Sequence, residues 1–508
     1  YIHVAQGAQA TGIVLKNGQR LIGSGVPLVV APYTLAPATT RPTLGNTITL
    51  ANGNTVAGLN VASVGVGISG NAVAGGTITE VGISGGSDGL TLTNPTGAFT
   101  LTNVSSAPGN VGVTVNGGTA NITANNLTVT TTGATGILGT GTGTLAFNGG
   151  SVTTTNGSAI NLTSHNLGGS GLTAVSASNA VNGISLTNTT GTLTITGTGV
   201  AGSGGTITNM SGRGINASNA TGLSIRWMAI NASGTQGVLM LNALAVPSTF
   251  EARNSSFSGN FGNALQASSN GSGHLNVTAD ANTFANNNAA VVAQVTSTGG
   301  ATAYITNNAA TFNSSAPYIV TRNAPGNGTV DATITGNTVG TAGVPGSGCA
   351  VGCGGIQAIA LGNGLYRALI SGNTIRQVSS TGITARAGEG SGSLQATISN
   401  NTLAEPVGAP SPGILVQSGT LSTDTVSVCG HIINNTVAVG FPTQINVFKR
   451  FNTTTFSIPG YAGGPTDNTA VANFIKAQNT VTTVTATRLP AVAGNDWSGG
   501  PLCTQPAP

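Results

Sequence analysis

The sequence predicts an all-β chain wound as a right-handed parallel β-helix, a β-solenoid with a short C-terminal capping helix. Three observations predict it. A Gly, once replaced by Ala, stands before a small apolar residue at a nearly fixed step: Gly58-Leu59, Gly89-Leu90, Gly112-Val113, Gly136-Ile137, Ala159-Ile160, Gly183-Ile184, Gly214-Ile215 and Gly237-Val238. The steps are 31, 23, 24, 23, 24, 31 and 23 residues, and a period of this length marks a solenoid whose units must stack to bury their apolar faces. Within each unit, apolar residues alternate with Ser or Thr, the pattern of half-buried strands. Charged residues are only 5%, against about 25% in ordinary soluble domains.

The repeat is clearest at Gly183-Ile-Ser-Leu-Thr-Asn-Thr-Thr-Gly-Thr-Leu-Thr-Ile-Thr-Gly197. Two alternating runs flank a polar turn, with Ile184 and Leu186 on one face and hydroxyls on the other. Val, Ile and Thr suit such pleated surfaces. A 23-residue unit holds about three short strands plus turns, one coil of a parallel β-helix, and the 31-residue steps read as coils with a longer loop. About 15 or more coils at about 4.8 Å each give a rod of roughly 70 Å or more. The right hand follows the preference of parallel crossovers.

Beyond about residue 250 a second marker joins the first. Asn precedes a small or polar residue and then an apolar one at Asn254, Asn282, Asn337, Asn373, Asn401 and Asn435. Asn tolerates left-handed backbone and bonds its own turn. At one corner of successive coils, its amides can stack into a structural hydrogen-bonded ladder rather than a ligand-binding row.

We divide the chain into a β-helix over 1–450 and a cap and tail over 451–508. The tail holds the best helical segment, around Pro465–Asn479. Thr466 or Asp467 can cap it, and Val471, Phe474 and Ile475 share one face. A solenoid end exposes strand edges and an apolar cross-section, which such a helix can cover. No comparable cap is legible at the N-terminus, where Ile2-His-Val and Gly12-Ile-Val-Leu already read as strands. The first coil is therefore expected to be covered by further sequence or to dock on another molecule.

The 508 residues would make about three globular domains by length alone, a prior that one-dimensional repeats escape. Net charge is +4, from 14 basic and 10 acidic residues. The basic residues are scattered and only Lys449-Arg450 are adjacent, so the stripe that nucleic acid requires is missing. No apolar run reaches the length of a membrane span. The start at Tyr1, without a signal-peptide pattern, reads as a mature or trimmed product. Cys349, Cys353, Cys429 and Cys503 suit an oxidising compartment. Three pairings are open. The preferred one joins Cys349 to Cys353 as a loop staple and Cys429 to Cys503 across the tail. Zinc is disfavoured because no His lies near Cys349 and Cys353. No cofactor or metal is expected.

In the opening Gly12-Ile-Val-Leu-Lys-Asn-Gly-Gln-Arg-Leu-Ile-Gly23, the Gly-Ile…Asn…Thr-Gly double strands, the Asn-Thr-apolar rungs and the ending Ile458-Pro-Gly-Tyr461…Gln478-Asn479, the chain resembles bacterial secreted right-handed parallel β-helix repeat proteins. These include adhesins and autotransporter passengers. The resemblance covers nearly the whole chain and implies an extracellular or cell-surface setting. It implies architecture more than activity, because the fold also hosts pectate lyases and other polysaccharide enzymes. No C-terminal run resembles an outer-membrane barrel.

Enzymes on such a fold gather carboxylates on neighbouring coils. Glycoside hydrolysis needs a pair about 5 to 9.5 Å apart, and Ca²⁺ needs several oxygens. The best catalytic candidates are Glu251, Arg253 and Asp280, with Glu251 and Asp280 spaced to sit on adjacent coils. An ion pair on a loop is the plainer reading. His3, His165, His274 and His431 are each isolated, with His165 expected in a loop or a stack rather than as a base. The expected function is therefore non-catalytic: an extracellular structural or adhesive solenoid, either a surface rod or a subunit stacking head-to-tail into a fibre. Its expected partners are copies of itself or surface glycans. The alternative is a polysaccharide-binding or pectate-lyase-like carbohydrate-active protein.

Overall fold

The computed structural model of the chain describes every residue except 350, 409–410, 493 and 508. It is a parallel β-solenoid in which a full coil contributes three short strands, each pairing with the equivalent strand of the neighbouring coils. The fold is compact in two units, Tyr1–Gly234 and Thr235–Pro508.

In the first unit, Ile68–Asn71, Leu90–Thr93, Val113–Asn116, Ile137–Thr140, Ile160–Thr163, Ile184–Thr187 and Ile215–Ser218 stack in parallel register. Alternation turns Ile137, Ile160, Ile184 and Ile215 into one interior column, none more than 2% exposed. The Asn161, Ser185 and Asn216 side chains between them point outward. The recurring Gly has a steric cause. A Cβ at Gly136 would lie 2.5 Å from Val152 Cγ1 and 2.6 Å from the Ala159 carbonyl oxygen, so only the smallest residues fit where the chain turns onto this face.

One marker pair is corrected. Gly58 lies inside the strand Asn54–Val61 at φ +66°, on another face. Its place in the series belongs to Gly67-Ile68, because Ile68 pairs with Leu90. The first 31-residue step is thus no long-loop coil. The step from Gly183 to Gly214 is one, with the extra residues in the turn-rich segment 196–204. Near the start, Leu28–Val30 and Tyr33–Ala36 form an antiparallel hairpin.

In the second unit the corresponding column runs through Leu265, Val291, Tyr318, Ile356, Ile383, Ile414, Ile445 and Val484. Parallel pairing continues past residue 450. Val484–Leu489 pairs with Ile445–Arg450, and Trp497–Gly500 pairs with Thr455–Pro459. Between them lies the helix Asn468–Ala477, the chain's only helix among the described residues. Asp467 caps it by accepting from the Ala470 N–H at 2.8 Å. Val471 and Ile475 are buried, and Phe474 packs edge-on against Tyr461 with ring centroids 5.6 Å apart. Trp497 meets Phe456 edge-on at 5.3 Å and donates through Nε1 to Asn468 Oδ1 at 2.9 Å. Cys349 is bonded to Cys353, and Cys429 to Cys503. Beyond Cys503, Gln505 Nε2 reaches back to Thr397 Oγ1 at 2.7 Å.

The interior column makes a direct prediction. Ile184→Ala should cost about 2–5 kcal/mol, whereas Ser185→Ala on the outer face should stay within about 0.5 kcal/mol. Chemical denaturation with local amide exchange checks both. Equal effects would contradict the assigned faces.

Candidate functional site

The most organised polar feature is a buried row of amides in the second unit. Asn282, Asn308, Asn337, Asn373, Asn401, Asn435 and Asn479 occupy the same corner of successive coils. Each from Asn282 to Asn435 donates its backbone N–H and its Nδ2 to the Oδ1 of the next, at 2.9–3.1 Å. The remaining amide hydrogen goes to a backbone carbonyl on the preceding coil: Asn337 to Ile305, Asn373 to Ile334, Asn401 to Ile370 and Asn435 to Ile398. Both hydrogens and both oxygen lone pairs are therefore used. From Asn282 to Asn435 none of these side chains is more than 1% exposed, so this part of the row is closed to ligands. At its end, Asn479 Nδ2 bonds Ile432 O and also Ile475 O in the last turn of the helix. The row and the cap are thus one bonded structure.

Asn254 is not in this row. Arg253 pairs with Asp280 and Ser256 with Thr283, so the residue level with Asn282 is Ser255, whose N–H donates to Asn282 Oδ1. Asn254 fills the position before it, at φ +51°. The equivalents of Asn254 are Ala281, Asn307, Gly336, Gly372, Asn400 and Asn434, all left-handed. The corner is a two-residue turn, and Asn suits both places for different reasons. The row's members at Asn308 and Asn479 lay outside the sequence marker set, although Asn479-Thr-Val carries the same pattern.

A second row, Asn260, Asn287 and Asn313, repeats this bonding at another corner. Asn260 Nδ2 donates to Asn287 Oδ1 at 2.8 Å, and Asn287 Nδ2 to Asn313 Oδ1 at 3.3 Å.

The catalytic candidates come together on the outer face of a sheet, not on a loop. Glu251 and Arg253 lie two apart on Ser248–Arg253, and Asp280 sits in register with Arg253 on Leu275–Asp280. Arg253 Nε is 3.3 Å from Glu251 Oε2, and Arg253 Nη1 is 2.9 Å from Asp280 Oδ2. Thr306 Oγ1 and Asn307 Nδ2 donate to the other Asp280 oxygen at 2.6 and 3.0 Å. Partial burial pushes the Asp280 carboxyl up, but these donors and the Arg253 charge outweigh it and hold it below the usual range. An acid so held stays ionised near neutral pH and is poorly suited to donate a proton.

His165 is buried, 1% exposed, with Nδ1 3.1 Å from Gly143 O. It lies in the turn between the strands Ile160–Thr163 and Asn166–Gly171 with its ring turned into the interior, and burial lowers its pKa. His274 Nε2 meets Thr302 Oγ1 at 3.0 Å. Among the described residues, no three His, Cys, Asp or Glu side chains are placed to share a metal ion. No helix of the described residues is long and apolar enough to cross a membrane.

In comparisons with known proteins, no family model, no curated protein and no solved structure matches the chain.

The geometry makes three predictions. Asn373→Ala strips the Asn337 N–H and Nδ2 of their acceptor and removes the Nδ2 bonds to Ile334 O and Asn401 Oδ1, leaving only the backbone N–H of residue 373 on Asn401. It should cost at least about 3 kcal/mol, read by denaturation and by faster amide exchange at residue 337, whose N–H loses its acceptor. Asn254→Gly should be nearly silent. Asp280 titrates lower folded than in the unfolded chain, where a carboxyl sits near about 3.9. Its contribution is complete above that value and disappears as pH falls through the folded value. Asp280→Asn should therefore flatten the acid limb of a melting-temperature profile while changing its neutral limb less.

Proposed function

We propose that the chain is a non-catalytic, extracellular structural or adhesive β-solenoid of bacterial type, displayed at a cell surface or assembling with its own copies. The observation that carries this reading is the closed bonding of the asparagine row. It couples seven successive corners to the cap through buried, saturated hydrogen bonds, as suits a durable scaffold. The acid–Arg253 cluster supports the same reading, because its charges are spent on one another and on neighbouring donors. The two disulfides are compatible with an oxidising, extracellular compartment. Alternating strands leave Thr, Ser and Asn on the outer faces, a neutral surface for contact with other molecules.

The test has two arms. Incubation with pectin-type and other polysaccharides, with and without Ca²⁺, should release no new sugar ends. The melting temperature should lie above the ordinary mesophile range of about 45–65 °C. Release of sugar ends would overturn the non-catalytic reading, and melting within that range would count against a durable scaffold.

A further inference from the structure

We propose that a trough at the second asparagine row binds an uncharged, hydroxyl-rich ligand, a linear neutral glycan. The proposal rests on the adhesive reading above and gives it a binding surface. Two adjoining surface cavities, of about 380 and 210 Å³, share Phe312 and Ser314 in their walls. The first also takes in Phe261, Asn286 and Asn288, and the second Asn313 and Gly346.

Three features of this trough point to a ligand. Phe261 is 85% exposed and Phe312 48%, the only strongly exposed phenylalanines among the described residues. Burying such rings is ordinarily favourable. Phe312 also stands at φ +53°, where the preceding coils place Gly259 and Asn286. A bulky side chain is disfavoured there, so Phe at this position presents a ring at a conformational cost.

The decisive feature is Asn313. It is 2% exposed, and its Oδ1 accepts from both the N–H and Nδ2 of Asn287 at 3.1 and 3.3 Å. Those donors fix which amide atom is oxygen. Its Nδ2 has no partner. In the other row, the next coil supplies an asparagine oxygen at this point. Here the following coil departs into the segment 340–349, which ends at the Cys349–Cys353 bridge. The row stops, and a buried donor is left lining the smaller cavity. A buried amide hydrogen gains when it finds an acceptor.

The lining has no charged side chain, so nothing in it selects phosphate, carboxylate or nucleic acid. Aromatic faces beside a few convergent amides and a hydroxyl match a ligand with apolar C–H faces and polar edges. A pyranose ring has both. The stacked coils repeat at about 4.8 Å, so the trough offers successive contacts along a linear chain rather than one deep pocket.

The experiment is binding of the full chain to an array of neutral glucan, mannan, xylan and galactan oligosaccharides, with polygalacturonate as the acidic comparison. Phe261→Ala and Phe312→Gly are tested alongside, with melting temperatures measured to confirm folding. Glycine tolerates the backbone at 312. We expect a neutral glycan to bind and each variant to weaken it about tenfold, the effect of one well-stacked ring, without a lower melting temperature. Unchanged binding in both folded variants would overturn the trough while leaving an adhesive role standing. So would preference for the acidic glycan. No binding of any neutral glycan would also overturn it. Release of sugar ends by the native chain would count against the non-catalytic reading alone, and loss of binding in the variants would still support the trough.

Discussion

In-register stacking of each coil on the next is the constraint on which the other features depend. Parallel strands satisfy their backbone groups only with a neighbouring coil, so one coil alone has neither its hydrogen bonds nor its core. Register then decides every side chain. Because strand residues alternate faces, a slip of one residue would carry Ile160 and Ile184 outward and Asn161 and Ser185 inward. The crowded corner at Gly136, next to the Ala159 carbonyl, shows how tightly the turn must close for this register to hold.

Polar groups reinforce the same register in the second unit. An amide buried without partners would be a liability. In the row, each from Asn282 to Asn435 is instead bonded to the coil before and the coil after, so only one stacking satisfies them all. The row closes on the helix through Asn479 and Ile475. The shorter row ends at Asn313 with a donor unspent. The two ends contrast: the first is sealed by a cap, and the second opens on exposed rings.

The parallel solenoid was legible because its signals are local and repeated. Alternation, the Gly step and the scarcity of charge are all visible in a single strand of text. The false start at Gly58 arose because glycine serves two purposes here, close approach at Gly136 and left-handed backbone at Gly58. The misplaced Asn254 has a similar origin. Two adjacent corner positions both favour Asn, and only the pairing of Arg253 with Asp280 tells which is which. Asn308 went unread because Ala-Ala follows it, a weak apolar signal. The trough was not legible at all. It depends on what the segment 340–349 withholds from Asn313, and no spacing in the sequence expresses a missing acceptor.

Residue-resolved amide exchange on the native chain tests the central claim most directly. The account predicts slow exchange at the corner N–H groups of Asn308, Asn337, Asn373 and Asn401, matching the interior strands beside them. Exchange should be fast in the exposed turn residues 199–202, whose N–H groups reach no neighbouring coil. Fast exchange at those four asparagines, while the adjoining strands stay protected, would contradict a structural row and would require the corner to be open to solvent.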